Sequence, residues 1–265
     1  RREVQFYSQL TAEVPVRVPR CYFADSNVAG DQYIMLMEDL SLSGCGFPNS
    51  KNHYSLDYVR QVLSEFACLH AHYWQTERFS GDLDWVQPPL QHEIAVKLVA
   101  LALEKHREVM PPVFSQMAAC YLANTDRILS LWLEGPCTLI HGDVHDGNLF
   151  MDGTEPGFLD WALLARGPGM RDVGYFLAGT LAPEHRELAR ELIAEYREQL
   201  LAAGCASPSL DELWLQFRRH VAYVWVGAVT TLAMGDAWQP TDYVRSSLER
   251  IHSVMDSIET VASFS

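Results

Sequence analysis

The sequence predicts an α+β chain with a large, predominantly helical carboxy-terminal lobe and a small amino-terminal region. Three observations predict it. Apolar residues recur at helical spacing through most of residues 55–133 and 184–262. Strand-like runs are short and confined to the neighbourhoods of residues 20–37 and 149–159. Between the helical stretches lies one dense polar cluster, His141-Gly-Asp-Val-His-Asp-Gly-Asn148.

The elements follow in order. Val4, Phe6, Tyr7 and Leu10 have helical spacing, and Pro15 and Pro19 close that helix. An extended segment near Arg20–Asp25, a turn over Asn27–Gly30 and a strand over Tyr33–Met37 make a hairpin. Ser41–Asn52 is rich in Ser, Gly, Asn and Pro and reads as loop. Ser55 caps a long helix whose apolar face runs through Val59, Val62, Leu63, Phe66, Leu69 and His70 to Tyr73 and Trp74. The histidines there read as satisfied core residues. Helices are expected over 91–110, closed by Pro111-Pro112, and over 114–133, closed by Gly135-Pro136. Two short strands flank a turn at Asp152-Gly153. Further helices span 184–203, a stretch begun by Ser209 or Asp211 that includes the Val221–Met234 apolar run, and a last segment from Thr241 or Asp242 to about Ala262.

The polar cluster carries the chemistry. Its Asp143-to-Asn148 interval, followed by Asp160 at the end of Gly157-Phe158-Leu159, matches the spacing of a phosphoryl-transfer site. Such a site mainly positions groups and neutralises charge. Asp160 supplies a hard carboxylate and Asn148 a neutral oxygen to triphosphate-bound Mg²⁺. Asp143 faces the acceptor hydroxyl and takes its proton, and His141 braces the loop. Two other readings of the same residues stay open: a polar turn between strands, and a transition-metal hydrolase site built on His141, Asp143, His145 and Asp146. The remaining histidines show no paired ligand spacing.

HGDVHDGNLF with FLDW resembles the aminoglycoside phosphotransferase and choline kinase-like superfamily of small-molecule kinases. That resemblance implies a protein-kinase-like fold and an ATP- and Mg²⁺-dependent transfer to a small-molecule hydroxyl acceptor. Gly142 replaces the protein-kinase Arg, and Asp160-Trp161 stands where protein kinases have Asp-Phe-Gly. Asp172, in Gly167-Pro-Gly-Met-Arg-Asp-Val-Gly-Tyr, is implied to brace the catalytic loop. Tyr33–Leu40 resembles the hinge strand, implying backbone contacts from Glu38, Asp39 and Leu40 to adenine. Glu3 stands where the family has the glutamate that partners the ATP-binding lysine.

The chain departs from the pattern at its start. Its three lysines, Lys51, Lys97 and Lys105, all follow the hinge, and no Gly-rich strand-turn-strand precedes Glu3. The expected architecture is therefore a truncated or incomplete amino-terminal lobe over residues 1–40 and a catalytic and acceptor-binding lobe over 41–265. Weak nucleotide binding by this polypeptide alone is expected. A nucleotide-binding pseudokinase or scaffold is the competing reading.

Composition bounds the partners. The chain has 265 residues, 48% hydrophobic and 20% charged, with a net charge of −14. That balance argues against nucleic-acid binding and is compatible with a cationic acceptor. Six scattered cysteines without a CxxC pair suggest reduced thiols in a cytoplasmic protein. No apolar run reaches the roughly 18–20 residues that span a bilayer. Asp236 and Trp238 are candidate acceptor contacts or cap and packing residues, and Arg166 a phosphate contact or a surface residue.

Overall fold

The computed structural model describes residues 2–27, 29–48, 54–89, 93–107, 110–236, 239 and 241–265, with the side chains of 241–243 left out. Helix α1 (Arg2–Gln9) packs on a two-stranded hairpin, β1 (Cys21–Ser26) and β2 (Tyr33–Met37), paired antiparallel. The Asn27 side-chain oxygen accepts the N–H groups of Gly30, Asp31 and Gln32 and so closes the turn.

Helix α2 (Leu56–His72) begins where Ser55 Oγ accepts the Tyr58 N–H at 3.2 Å, and its expected face is buried. Helix α3 (Glu93–Lys105) ends before the expected position. The next expected helix is two, α4 (Pro112–Ala123) and α5 (Thr125–Leu131). Asn124 breaks it: its side chain donates to the Cys120 carbonyl at 3.1 Å, in competition with the helix.

Strands β3 (Cys137–Ile140) and β6 (Ala165–Pro168) pair antiparallel, as do β4 (Leu149–Asp152) and β5 (Glu155–Phe158). Gly153, at φ +62°, makes the β4–β5 turn. Helix α6 (Met170–Thr180) follows. The stretch expected to be helical from 184 opens as a 3₁₀ segment (Pro183–Leu188) before α7 (Ala189–Ala202).

Helix α8 (Leu210–Met234) is the pillar of the large lobe and packs on α3, α6, α7 and α9 (Thr241–Ser257). Ser209 and Glu212 form a reciprocal capping box at its start. The last helix stops short of Ala262 because Glu259 turns to φ +51° and Arg218 captures the carbonyls of Ile258 and Glu259, each at 2.7 Å. One continuous apolar core joins α1, α2 and the helices behind them. No helix of the described residues is long and apolar enough to cross a membrane.

His220, on the buried face of α8, has its pKa lowered to about 3 by burial and by the nearby Arg171 and Arg219, against the opposing pull of Asp172. The folded chain therefore resists a proton that the unfolded chain accepts below about pH 6.5. Stability should fall by about 1.4 kcal/mol per pH unit for this group as pH drops from there towards 3. Urea titrations between these limits check it, and a His220→Gln chain should show a correspondingly flatter pH dependence.

Candidate active site

The loop that follows β3 is held from behind by a fully buried carboxylate. Asp172, in the first turn of α6, accepts the His141 N–H at 2.7 Å and the Gly142 N–H at 2.8 Å. His70 Nε2 lies 3.4 Å from the same carboxylate, and His70 Nδ1 lies 2.8 Å from the Tyr196 hydroxyl. Burial alone would raise the Asp172 pKa, but the His70 hydrogen bond, the nearby imidazoles and the Gly142 N–H hold it below the ordinary range. Asp172 is thus the brace the sequence implied.

Gly142 is at φ +87°, and a Cβ there would stand 2.6 Å from the Leu163 carbonyl oxygen. Only glycine fits both the conformation and the approach. His141, fully buried, places Nε2 3.0 Å from the Leu159 carbonyl oxygen. Burial lowers its pKa, which keeps the imidazole neutral. The ring ties the loop to the segment that ends in Asp160.

Asp143 and Asn148 meet. The Asn148 amide donates to the Asp143 carbonyl at 2.9 Å and approaches its carboxylate at 3.4 Å. With Nδ2 so used, Oδ1 is the Asn148 atom left for a cation. His145 Nε2 stands 3.8 Å from the Asp143 carboxylate, and its Nδ1 accepts the Gly147 N–H, so this histidine also shapes the loop.

Hairpin register sets the backbone that leads to Asp160 beside Asn148. The β4–β5 pairing ends at Leu149 opposite Phe158, and the Leu159 N–H continues it to the Asn148 carbonyl at 3.0 Å. Asn148 and Asp160 therefore leave the same end of the hairpin. Asp160 is exposed and sits at φ +61°, a conformation uncommon for a side-chain-bearing residue. Its carboxylate accepts the Ala162 N–H at 3.3 Å. Trp161 behind it is fully buried and stacks on Phe6 of α1 at 4.1 Å.

That stacking brings Glu3 to the site. Burial and the neighbouring Asp160 raise the Glu3 pKa, while the Trp161 N–H bonded to its carboxylate opposes them. The Glu3 and Asp160 carboxylates share one electrostatic neighbourhood, and carboxylate oxygens are donors of the kind a hard divalent cation takes. Among the described residues no group of three His, Cys, Asp or Glu side chains is arranged to hold a metal.

Glu38, Asp39 and Leu40 follow β2 directly. The Glu38 carboxylate is bound by Arg17 at 2.8 and 3.0 Å and by the Arg20 N–H at 2.9 Å, and the Arg17 contact leads in lowering its pKa to about 2. Asp39 Oδ1 caps the Leu42 N–H. The Glu38 and Asp39 side chains are committed to these structural contacts. Arg17 also bonds Asp152 at 2.8 Å, which ties this segment to the β4–β5 turn. Arg166 donates to the Phe79 carbonyl at 2.7 Å, a structural contact. Asp236 is exposed after α8, and Trp238 lies outside the described residues.

Sequence reasoning missed His70 and Tyr196 as the backing of the loop. It also missed the cavity of about 300 Å³ that opens beside Asp143 between α6, α8 and α9.

Residues 1–218 match the family described as the phosphotransferase enzyme family. The chain belongs to this family. It is 28% identical over 194 residues to a methylthioribose kinase of Bacillus velezensis, an alignment covering 63% of this chain and 45% of that kinase. It therefore spans less than half of that curated relative. Among solved structures, the GDP complex of aminoglycoside 2'-phosphotransferase-IIIa superposes with a TM-score of 0.58 at 14% identity, covering 97% of this chain and 81% of that one. The choline kinase LicA of Streptococcus pneumoniae superposes with a TM-score of 0.60 at 11% identity, covering 97% and 81%. At these identities the likeness is one of fold, the kinase-like fold that the sequence resemblance implied.

Proposed function

We propose that this chain belongs to an ATP-dependent phosphotransferase that moves the γ-phosphate to a hydroxyl of a small molecule. The observation that carries the reading is the Asp143–Asn148 pair: one hydrogen-bonded unit whose carboxylate lines a cavity large enough for an acceptor. Asp143 orients the acceptor hydroxyl and receives its proton as the bond to phosphorus forms. Asn148 and Asp160 would hold Mg²⁺, which, when bound, neutralises charge on the transferring phosphoryl oxygens. Residues 1–40 supply the nucleotide side, with backbone groups of Glu38, Asp39 and Leu40 against adenine and Glu3 beside Asp160. Residues 41–265 supply the catalytic loop and the acceptor cavity. Six unpaired thiols support a reducing, cytoplasmic setting.

The test is transfer of the labelled γ-phosphate of ATP to a panel of alcohols, with and without EDTA. Metal-dependent labelling of an alcohol is the expected result, slow for this polypeptide alone and needing high ATP. Nucleotide binding without labelling of any alcohol would instead make the chain a scaffold. Zinc-dependent hydrolysis without ATP would make it a hydrolase.

A further inference from the structure

The cavity beside Asp143 has a chemical character that the overall charge of the chain hides. At its catalytic end are Asp143, His145 and Asp146; along its sides are the rings of Tyr175 and Tyr223. Arg250 of α9 also lines it and is the one Lys or Arg among the described lining residues. Its Nε is buried without a hydrogen-bond partner among the described residues. Among the described residues its guanidinium makes one side-chain hydrogen bond, from Nη2 to Ser247 Oγ at 3.2 Å, and has no carboxylate partner. Of the carboxylates nearby, Asp146 accepts the Tyr54 hydroxyl at 3.3 Å and Asp143 is approached by the Asn148 amide at 3.4 Å, and neither is paired with Arg250.

A half-buried guanidinium with unspent donors is a fork for a planar oxyanion. A buried donor left unpaired is costly, and a ligand carboxylate would remove that cost. We propose that the acceptor is a compact hydroxy acid, its carboxylate on Arg250 and one of its hydroxyls at Asp143. This rests on the phosphotransfer reading of the same site.

Two competing chemistries fit less well. The net charge of −14 is compatible with a cationic acceptor, but charges beyond the Debye length of about 8 Å are screened. Within the cavity the Asp143 and Asp146 carboxylates stand at the catalytic end, and at the α9 side the Arg250 guanidinium disfavours an amine and favours a carboxylate. A phosphomonoester would bring a second negative charge towards Asp143 and Asp146, with one guanidinium to balance it. The cavity of about 300 Å³ lies at the lower end of ligand-pocket sizes, which suits one short chain or ring.

The experiment compares matched six-carbon polyols by calorimetry and by phosphate transfer: gluconate, gluconamide, glucamine and sorbitol 6-phosphate. Threonate serves as a shorter acid. Gluconate or threonate should bind about tenfold or more tighter than gluconamide, in line with a charge-assisted pair. Arg250→Gln should erase that preference while leaving gluconamide binding within about twofold, and Arg250→Lys should keep part of it. Tightest binding of glucamine, gluconamide or the phosphate would overturn the proposal. So would equal weakening of all probes by Arg250→Gln. If that variant fails to fold, the acid-to-amide ratio of the unaltered chain still decides. Acid-selective binding without transfer would remove the phosphotransfer reading and keep the charge preference; transfer that favours glucamine would do the reverse.

Discussion

Replacing Asp143 with Asn should reduce phosphate transfer by about 10²–10⁴-fold while leaving Mg-ATP affinity within about twofold. Asn keeps the shape of the side chain but has no basic oxygen to take the acceptor proton. The loop should survive, because the shorter bond from the Asn148 amide runs to the Asp143 backbone carbonyl, at 2.9 Å. The Asp172 brace also grips His141 and Gly142 rather than Asp143. The loss should therefore fall in kcat and not in nucleotide binding. Steady-state kinetics together with calorimetric nucleotide titration separate the two. Loss of Mg-ATP binding in the Asn variant would move Asp143 from proton transfer to nucleotide or metal binding.

Replacing Asp172 with Ala should have a different signature. The fully buried carboxylate satisfies two backbone N–H groups and faces His70. Its removal strands those donors where water cannot reach them, a loss of about 3–5 kcal/mol for a buried charged partner. In a chain of this size that is a fall in Tm of about 10 °C. Transfer should fall as well, since His141 and Gly142 set the path of the loop to Asp143. A variant with unchanged Tm and lost activity would contradict the bracing role and point to direct contact with substrate or metal.

The contrast between these two aspartates shows what could be read from sequence. Asp143, Asn148 and Asp160 lie within one short stretch, and phosphoryl transfer constrains both their types and their spacing. The β4–β5 turn carries its own Gly signal, and α2 and α8 start at serine caps, so these were legible too. The pairing of β3 with β6 was not. Each strand has four residues, and one contains Gly-Pro, so neither shows a usable alternation. The His70–Asp172–Tyr196 cluster joins residues 102 and 126 positions apart. Local periodicity could place His70 on a core face but could not say what it would meet. The break at Asn124 was visible in residue type, yet the apolar pattern runs across it. Arg250 sits on an otherwise ordinary amphipathic helix, and only the packing of α9 beside α8 and α6 turns it towards a cavity.

On this proposal Asp143, Asn148 and Asp160 converge on a magnesium-loaded triphosphate. A crystal structure with Mg²⁺ and a non-hydrolysable ATP analogue tests it most directly. Oxygens of Asp160 and Asn148 should lie at about 2.0–2.1 Å from the metal, with the Asp143 carboxylate turned into the acceptor cavity and free of metal. A bound triphosphate whose metal leaves Asp160 uncoordinated, or an Asp143 carboxylate directed away from that cavity, would contradict it.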